Sequence, residues 1–401
     1  MRFIPFSPPD ITQAEIDAVV DVLKSGWITT GPKTKLFEKK IAAYSHAAQA
    51  VCLSSQTACA EMTLRILGIG PGDEVIVPAY TYTASASIIY HVGATPVIID
   101  CAPGSYEMDY NKMEDAITTK TKVIIPVDLA GIIADYDKIF QAVYNKKHLF
   151  KPSNQLQESF GRIVVMSDGA HAFGAHHKNK VCGEIADFTN FSFHAVKNLT
   201  SGEGGAAVWK DHSGLDSQKL YQQFMLFSLH GQTKDTYSKN LGTSWEYDVV
   251  DTQYKCNMPD ILAAIGLAQL DRYDKMLDRR HELIQIYNKA FANLPVGLLN
   301  HSDEYHRSSG HLYFVRLLEK KSDYRNEFIK RMAQNGVICN VHFKPLPMLT
   351  AYRNRGFCID NFPFAYSMHE NQITLPLYTT LSNDDADYIT SVFKRCMTQN
   401  Y

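Results

Sequence analysis

Short, almost wholly apolar runs, each stopped by a polar or turn residue and followed by helical spacing, limit this chain to few architectures. Residues 50–53 meet Ser54-Ser-Gln-Thr57. Residues 74–77 stop at Pro78, residues 96–99 stop at Asp100, and residues 123–127 and 163–166 repeat the pattern. A strand with one wet face would alternate apolar and polar residues. Unbroken runs belong to strands covered by helices on both faces. Strands of this kind alternating with helices predict an α/β fold with a mostly parallel, doubly wound sheet. Ligands of such a sheet bind outside the carboxyl ends of its strands.

The flanks of this pattern are also legible. Thr12 and Glu15 form a capping box ahead of Ile16, Val19, Val20 and Leu23, which predicts an apolar-faced helix ending near Gly26. A second helix carries Phe37 and Ile41. The polar stretch 145–159 interrupts the rhythm and reads as a surface insertion. A helix starting at Pro259 places Ile261, Ala264, Ile265 and Ala268 on one face. Beyond about residue 300 the reading is strand 311–317, helix 325–334 and strand 337–341. The chain thus divides into a large domain, 1–258, and a linking helix with a smaller α/β domain, 259–401. The N-terminal helix is free to pack on the small domain.

Composition narrows the partners. The 401 residues carry a net charge of −2, with 45% apolar and 20% charged. No polybasic field points to nucleic acid or anionic lipid. No secretory apolar region and no run of membrane-spanning length is present. Eight scattered cysteines form no CxxC pair and no zinc spacing, so no metal is expected and the thiols read as reduced. These features predict a cytoplasmic protein.

Three segments could carry chemistry. Ser54-Ser-Gln-Thr-Ala58 joins a strand end to a helix start, where free amides attract an anion, although on this segment alone an ordinary cap by Ser55 is the preferred reading. Asp168 ends an apolar strand, where it could cap a helix, bind a metal or face a cationic ring nitrogen. Lys197 stands between an apolar run and the glycines of Gly202-Glu-Gly-Gly205. An enclosed lysine loses basicity and becomes a nucleophile, and glycines allow backbone to approach a flat ligand. A lysine, an anion site and an acid together match the three handles of pyridoxal 5'-phosphate.

At these residues the chain resembles the DegT/StrS-type sugar aminotransferases, which have the aspartate-aminotransferase fold. The resemblance runs through Ser25-Gly-Trp-Ile-Thr-Thr-Gly-Pro32, the segment from Gly72 to Tyr82, and Gly93-Ala-Thr-Pro-Val97. It continues through Ser167-Asp-Gly-Ala-His171, Ser192-Phe-His-Ala-Val-Lys197-Asn and Gly202-Glu-Gly-Gly205, and ends at residues 263–270 and Leu375-Pro-Leu377. It implies that Lys197 holds the cofactor as a Schiff base and that Asp168 pairs with the pyridine nitrogen. Tyr82 would stack on the ring and His171 would lie beside it, while Thr57, Ala58 and Ser192 would hold the phosphate. Thr30 and His342 would meet substrate, and His194 would be either buried support or a catalytic group. Two departures stand out. Gln56 replaces the glycine usual before the phosphate-binding threonine, and Lys255 takes the place of an asparagine that reaches the phosphate of the neighbouring subunit. A homodimer with Lys255 crossing the interface is therefore expected.

The implied reaction moves an amino group from an amino acid, L-glutamate, to a nucleotide-linked keto sugar. The segments 253–258 and 341–346 look most like members acting at C4 of a UDP-4-keto-6-deoxy-N-acetylhexosamine, which make amino sugars for bacterial capsules and glycans. A C3 aminotransferase on a dTDP or UDP 3-keto sugar, amination of a cyclitol ketone, and a non-catalytic cofactor-binding regulator are the alternatives. Lys197 argues against the dehydratase branch, which carries histidine at that position.

Overall fold

A computed structural model describes residues 2–212, 214–234 and 246–398. The apolar runs become strands β1 (Gln49–Leu53), β2 (Glu74–Pro78), β3 (Thr95–Ile99), β4 (Thr121–Ile124) and β5 (Val164–Asp168). A small hairpin, β6 (His176–His177) and β7 (Lys180–Val181), precedes β8 (Phe188–Ser192) and β9 (Gly205–Trp209). The main sheet has the order β1-β9-β8-β5-β4-β2-β3. It is parallel from β8 to β3 and antiparallel where β9 meets β8 and β1. Alternate residues of each central strand feed opposite cores. Val75, Val77, Val164 and Met166 pack on one face, and Ile76, Ile163 and Val165 on the other. Burial on both faces is why these strands read as unbroken apolar runs.

Register places the site. Leu53 and Ser192 both pair with Gly205, and Asp168 pairs with Asn190. The carboxyl ends of β1, β5 and β8 therefore lie side by side, together with the start of the helix that follows β1.

A third core is built on the antiparallel sheet β10 (Val296–Leu298), β12 (Tyr313–Leu317) and β13 (Gln372–Leu375). The short β11 (His306–Arg307) instead pairs with β6. The 19-residue helix Tyr273–Phe291 runs between cores. Tyr273, Met276 and Leu277 belong to the large-sheet core, while Leu283, Ile284, Tyr287 and Phe291 belong to the third. The N-terminal Ile4 is buried in that third core and bridges Val337.

Several expectations need correction. Helix α1 (Gln13–Ser25) has both arms of its capping box, and Gly26 ends it in the left-handed conformation. Its apolar stripe, however, faces outward: Ile16, Val20 and Leu23 are 49%, 37% and 55% exposed. The buried side carries Glu15 and Val22 and packs on the helix Asp260–Leu270. That helix buries Ala263, Ala264 and Leu267, leaving Ile261, Ile265 and Ala268 half-buried. Residues 337–341 form no strand, only single bridges from Val337 and Asn340. The stretch 145–159 is not merely a surface insertion. Asn154 caps a short helix, Gln155–Phe160, and the Asn154 and Gln157 side-chain amides donate to Leu67 O at 2.9 and 2.8 Å. No helix among the described residues is long and apolar enough to cross a membrane.

Candidate active site

Asp168 ends β5 and is buried. The Ser85 hydroxyl donates to its Oδ2 at 2.5 Å, and the Ala170 amide donates to Oδ1 at 3.2 Å. Since the Ser85 proton points to Asp168, Thr81 supplies the proton of the 2.7 Å contact between the two hydroxyls. Burial raises the Asp168 carboxyl above its ordinary value, opposed by Ser85, the Ala170 amide and the positive charge of Lys197. This is a buried carboxylate with no cation within ion-pair distance among the described residues.

Lys197 lies beyond β8, in the turn closed by the Ser201 amide on Phe193 O. Its amine lines the same cleft as Asp168. Burial lowers its pKa to about 8, and Asp168 resists that shift. Among the described residues the side-chain amine makes no hydrogen bond and no ion pair. An enclosed amine without a partner is costly, and such cost is tolerated where chemistry needs a nucleophile.

Two imidazoles flank this pair, their rings 4.5 Å apart. His171 Nδ1 accepts from the Ala130 amide at 3.2 Å, so its proton sits on Nε2. The other ring, His311, has the opposite tautomer. The Asn198 amide nitrogen donates to Ser309 O at 2.7 Å, which turns its oxygen toward His311 Nδ1 at 2.9 Å. His311 therefore donates from Nδ1 and keeps a bare Nε2. Burial holds both rings neutral, reinforced for His311 by His171 and Lys197, and for His171 by Lys197 and His342. His171 thus offers a hydrogen-bond donor and His311 an acceptor.

The anion end is the helix Gln56–Ile66. Ser55 caps it by accepting from the Ala58 amide at 3.1 Å. The first-turn amides of Gln56 and Thr57 have no acceptor among the described residues, and both residues line the cleft with Ser192. Gly205 permits this turn: a Cβ there would lie 2.3 Å from Gln56 N. This glycine makes room for protein backbone, while its neighbour Gly204 lines the cleft.

Other expected residues are placed as follows. Tyr82 is exposed on the cleft wall, its ring 5.7 Å from Phe343. His342 also lines the cleft and stacks on Phe6 at 5.5 Å, with Nδ1 3.0 Å from the Thr374 hydroxyl. Ala58 does not line the cleft, and its amide is taken up by the Ser55 cap. Thr30 is buried elsewhere, donating to Met258 O at 2.6 Å and accepting from Asn257. Lys255 is exposed outside this chain's own cleft and donates to Asn257 Oδ1. His194 is not buried. It sits on the rim, 3.6 Å from Glu203. Sequence reasoning did not single out Ser85, Asn198, His311 or Phe343. Of these, only Asn198 had a local signal, its place beside Lys197.

These groups fit pyridoxal phosphate at each handle. A partnerless amine suits the aldehyde, a buried uncompensated carboxylate suits a cationic ring nitrogen, and free first-turn amides suit a phosphate. Together with the doubly wound fold they define a pyridoxal-phosphate enzyme of the aminotransferase class. Residues 9–394 match the model of the DegT/DnrJ/EryC1/StrS aminotransferase family. The chain belongs to this family. It is 38% identical over 395 residues to the spore coat polysaccharide biosynthesis protein SpsC of Bacillus subtilis, covering 96% of this chain and 95% of that one. A Streptococcus pneumoniae protein described as a sugar aminotransferase, Spr1654, superposes in its apo form with a TM-score of 0.96 at 53% identity, covering 98% of each chain. Its PLP form superposes at 0.95, and a PMP form is also known. Helicobacter pylori PseC, an aminotransferase of pseudoaminic acid biosynthesis, superposes at 0.85 with 25% identity, covering 98% of this chain and 99% of that one.

Proposed function

We propose that this aminotransferase moves an amino group from L-glutamate to C4 of a UDP-linked 4-keto-6-deoxy-N-acetylhexosamine, for a cell-surface polysaccharide. The observation that carries the sugar reading is the cleft wall. Tyr82, His171, His311, His342, Ser7 and Ser192 offer neutral donors and acceptors, and no arginine is among the described residues lining the cleft. That surface suits a polyhydroxylated ring better than a second carboxylate. The names of SpsC, Spr1654 and PseC point the same way.

Bound pyridoxal phosphate supplies an electron sink and a carrier for the amino group. The chain's own residues do the rest. Lys197 holds the cofactor covalently and, as a free amine with a pKa of about 8, can take and return a proton near neutral pH. Asp168, oriented by Ser85, keeps a proton on the ring nitrogen. Tyr82 covers one ring face. His171 directs its Nε2 proton into the cleft. Gln56, Thr57 and Ser192 bind the phosphate, and Ala58 can join only if Ser55 releases its amide. His342 faces the sugar, and the buried Thr30 has no route to it within one chain.

Lys197 is the only lysine or arginine among the described residues lining this cleft, so the phosphates call for cations from outside. Lys255 is exposed, and α1 shows Ile16, Val20 and Leu23 to solvent. A homodimer that covers this stripe and carries Lys255 into the neighbouring cleft answers both observations. All eight cysteines are unpaired, as suits a cytoplasmic enzyme. The test is incubation with L-glutamate and a panel of nucleotide 4-keto and 3-keto sugars, followed by NMR of the product. An amine at C4 of the UDP sugar is expected. An amine at C3, or turnover of a free cyclitol ketone unaffected by UDP, contradicts the substrate reading.

A further inference from the structure

A second cleft lies away from the lysine, between loops of the large sheet and the face of the small one. Its walls are Tyr106, Leu129 and Ile132 on one side and Leu298, Phe314 and Met368 on the other. It encloses about 270 Å³, near the lower edge of the ~300–1,000 Å³ typical of small-molecule sites. The lining is largely apolar with two polar features. Arg316 donates from Nε to Asn371 Oδ1 at 3.0 Å and from Nη2 to Ser367 O at 3.4 Å, but no carboxylate lies within ion-pair distance among the described residues. The Tyr106 hydroxyl is sealed off behind its ring and has no hydrogen-bond partner among the described residues. Burial raises its pKa, partly offset by the nearby charge of Arg316, so the phenol keeps its proton and remains a donor.

We infer that this cleft binds a small amphipathic monoanion, a short aliphatic carboxylate whose chain lies against Leu129, Leu298 and Phe314 and whose charge meets Arg316. A guanidinium with no anion among the described residues, set in an otherwise apolar lining, matches an oxyanion. Arg316 is the only cation among the described residues of the lining, and Glu107 stands on the Tyr106 side, accepting from the Tyr110 hydroxyl at 2.5 Å. One positive charge beside a carboxylate suits a monoanion and disfavours a phosphate dianion. The site also adjoins the active cleft. Leu129 precedes Ala130, whose amide donates to His171. Tyr106 packs edge-on against Tyr80, whose hydroxyl bridges His342 O and Phe343 N. Occupancy is therefore placed to affect substrate binding, although the site itself does not depend on the aminotransferase reading.

The test titrates hexanoate and 1-hexanol into the full chain, read by saturation-transfer NMR and calorimetry. Saturable hexanoate binding, at least about tenfold tighter than hexanol, is expected. Arg316→Met should abolish the preference and Arg316→Lys should keep part of it. Leu298→Trp, which fills the cleft, should remove hexanoate binding, while Lys197→Ala leaves it intact. Equal binding of the two probes to the unaltered chain, or no binding, overturns the inference without any variant. Unchanged hexanoate binding in folded Arg316→Met or Leu298→Trp also overturns it.

Discussion

Ser85 and Asp168 share a 2.5 Å hydrogen bond across 83 positions of sequence, joining the helix after β2 to the end of β5. The serine hydroxyl fixes the carboxylate's rotation and favours its ionised form, which is the form that keeps a ring nitrogen protonated. Ser85→Ala removes a hydrogen bond to a charged group, a loss of about 1.5–3 kcal/mol. The expected outcome is a kcat lower by roughly one to two orders of magnitude. The pH dependence of the bound cofactor's absorbance should move with it, and Ser85→Thr should restore both. A purely structural role would leave that titration unchanged.

The lowered pKa of Lys197 has a definite sign. Its amine is depressed from 10.5 to about 8, so at pH 7 roughly a tenth is already neutral. The rate at which the cofactor-free chain captures pyridoxal phosphate should rise tenfold per pH unit below pH 8 and level off above it. Stability follows the same group. Between about pH 8 and 10.5 the unfolded chain binds the proton and the folded chain does not, so this lysine's penalty shrinks as pH rises through that window. Comparing denaturation of the cofactor-free chain with Lys197→Met isolates the contribution. A capture rate still rising at pH 10 contradicts the depressed pKa.

The opposite tautomers of His171 and His311 predict a specific change in pH profile. In Asn198→Asp a carboxylate replaces the amide oxygen that accepts from His311 Nδ1. The negative charge favours the imidazolium and raises the His311 pKa from its depressed value. The variant's kcat/KM should acquire an acid-side limb between about pH 5 and 7, in the ordinary histidine range. Native enzyme should lack that limb. Profiles that coincide in shape would show that Asn198 does not set this tautomer.

Gly205→Ala tests the anion turn. The added methyl meets Gln56 N at 2.3 Å, and backbone on both sides cannot yield as a flexible side chain could. A cost of about 1–3 kcal/mol is expected. The loss should be larger in affinity for pyridoxal phosphate than in thermal stability of the cofactor-free chain. Equilibrium dialysis beside a melting curve separates the two.

The exposed stripe on α1 provides the test of assembly. Leu23 is 55% exposed, so Leu23→Asp should change the stability of a single chain by no more than about 0.5 kcal/mol. It should nevertheless yield an inactive monomer by light scattering. A fully active monomer would remove Lys255 from the site.

What could be read beforehand follows from where each signal resides. The parallel strands were legible because burial on both faces makes them apolar throughout. β8, Phe-Thr-Asn-Phe-Ser, was not, because Thr189 and Asn190 are buried polar residues. β9 was hidden because its first residue is a glycine kept small by the Ser55–Gln56 backbone. The α1 stripe was read correctly as periodic, but periodicity does not say whether the apolar side meets this chain or another. Lys197 and Asp168 each sit in a local motif. Ser85 and His311 join the site only through the fold, since their partners are 83 and 113 residues away. The same limit applies to Thr30, whose motif was visible but whose hydroxyl is taken up by Met258 and Asn257.

The central claim is that one amine does this chemistry, and reductive trapping tests it most directly. Purified enzyme loaded with pyridoxal phosphate should be reduced with borohydride, digested, and mapped by mass spectrometry. A single pyridoxyl group on Lys197 is expected, with none trapped and no turnover in Lys197→Ala. Label on a different lysine, or amino transfer persisting in Lys197→Ala, would contradict it.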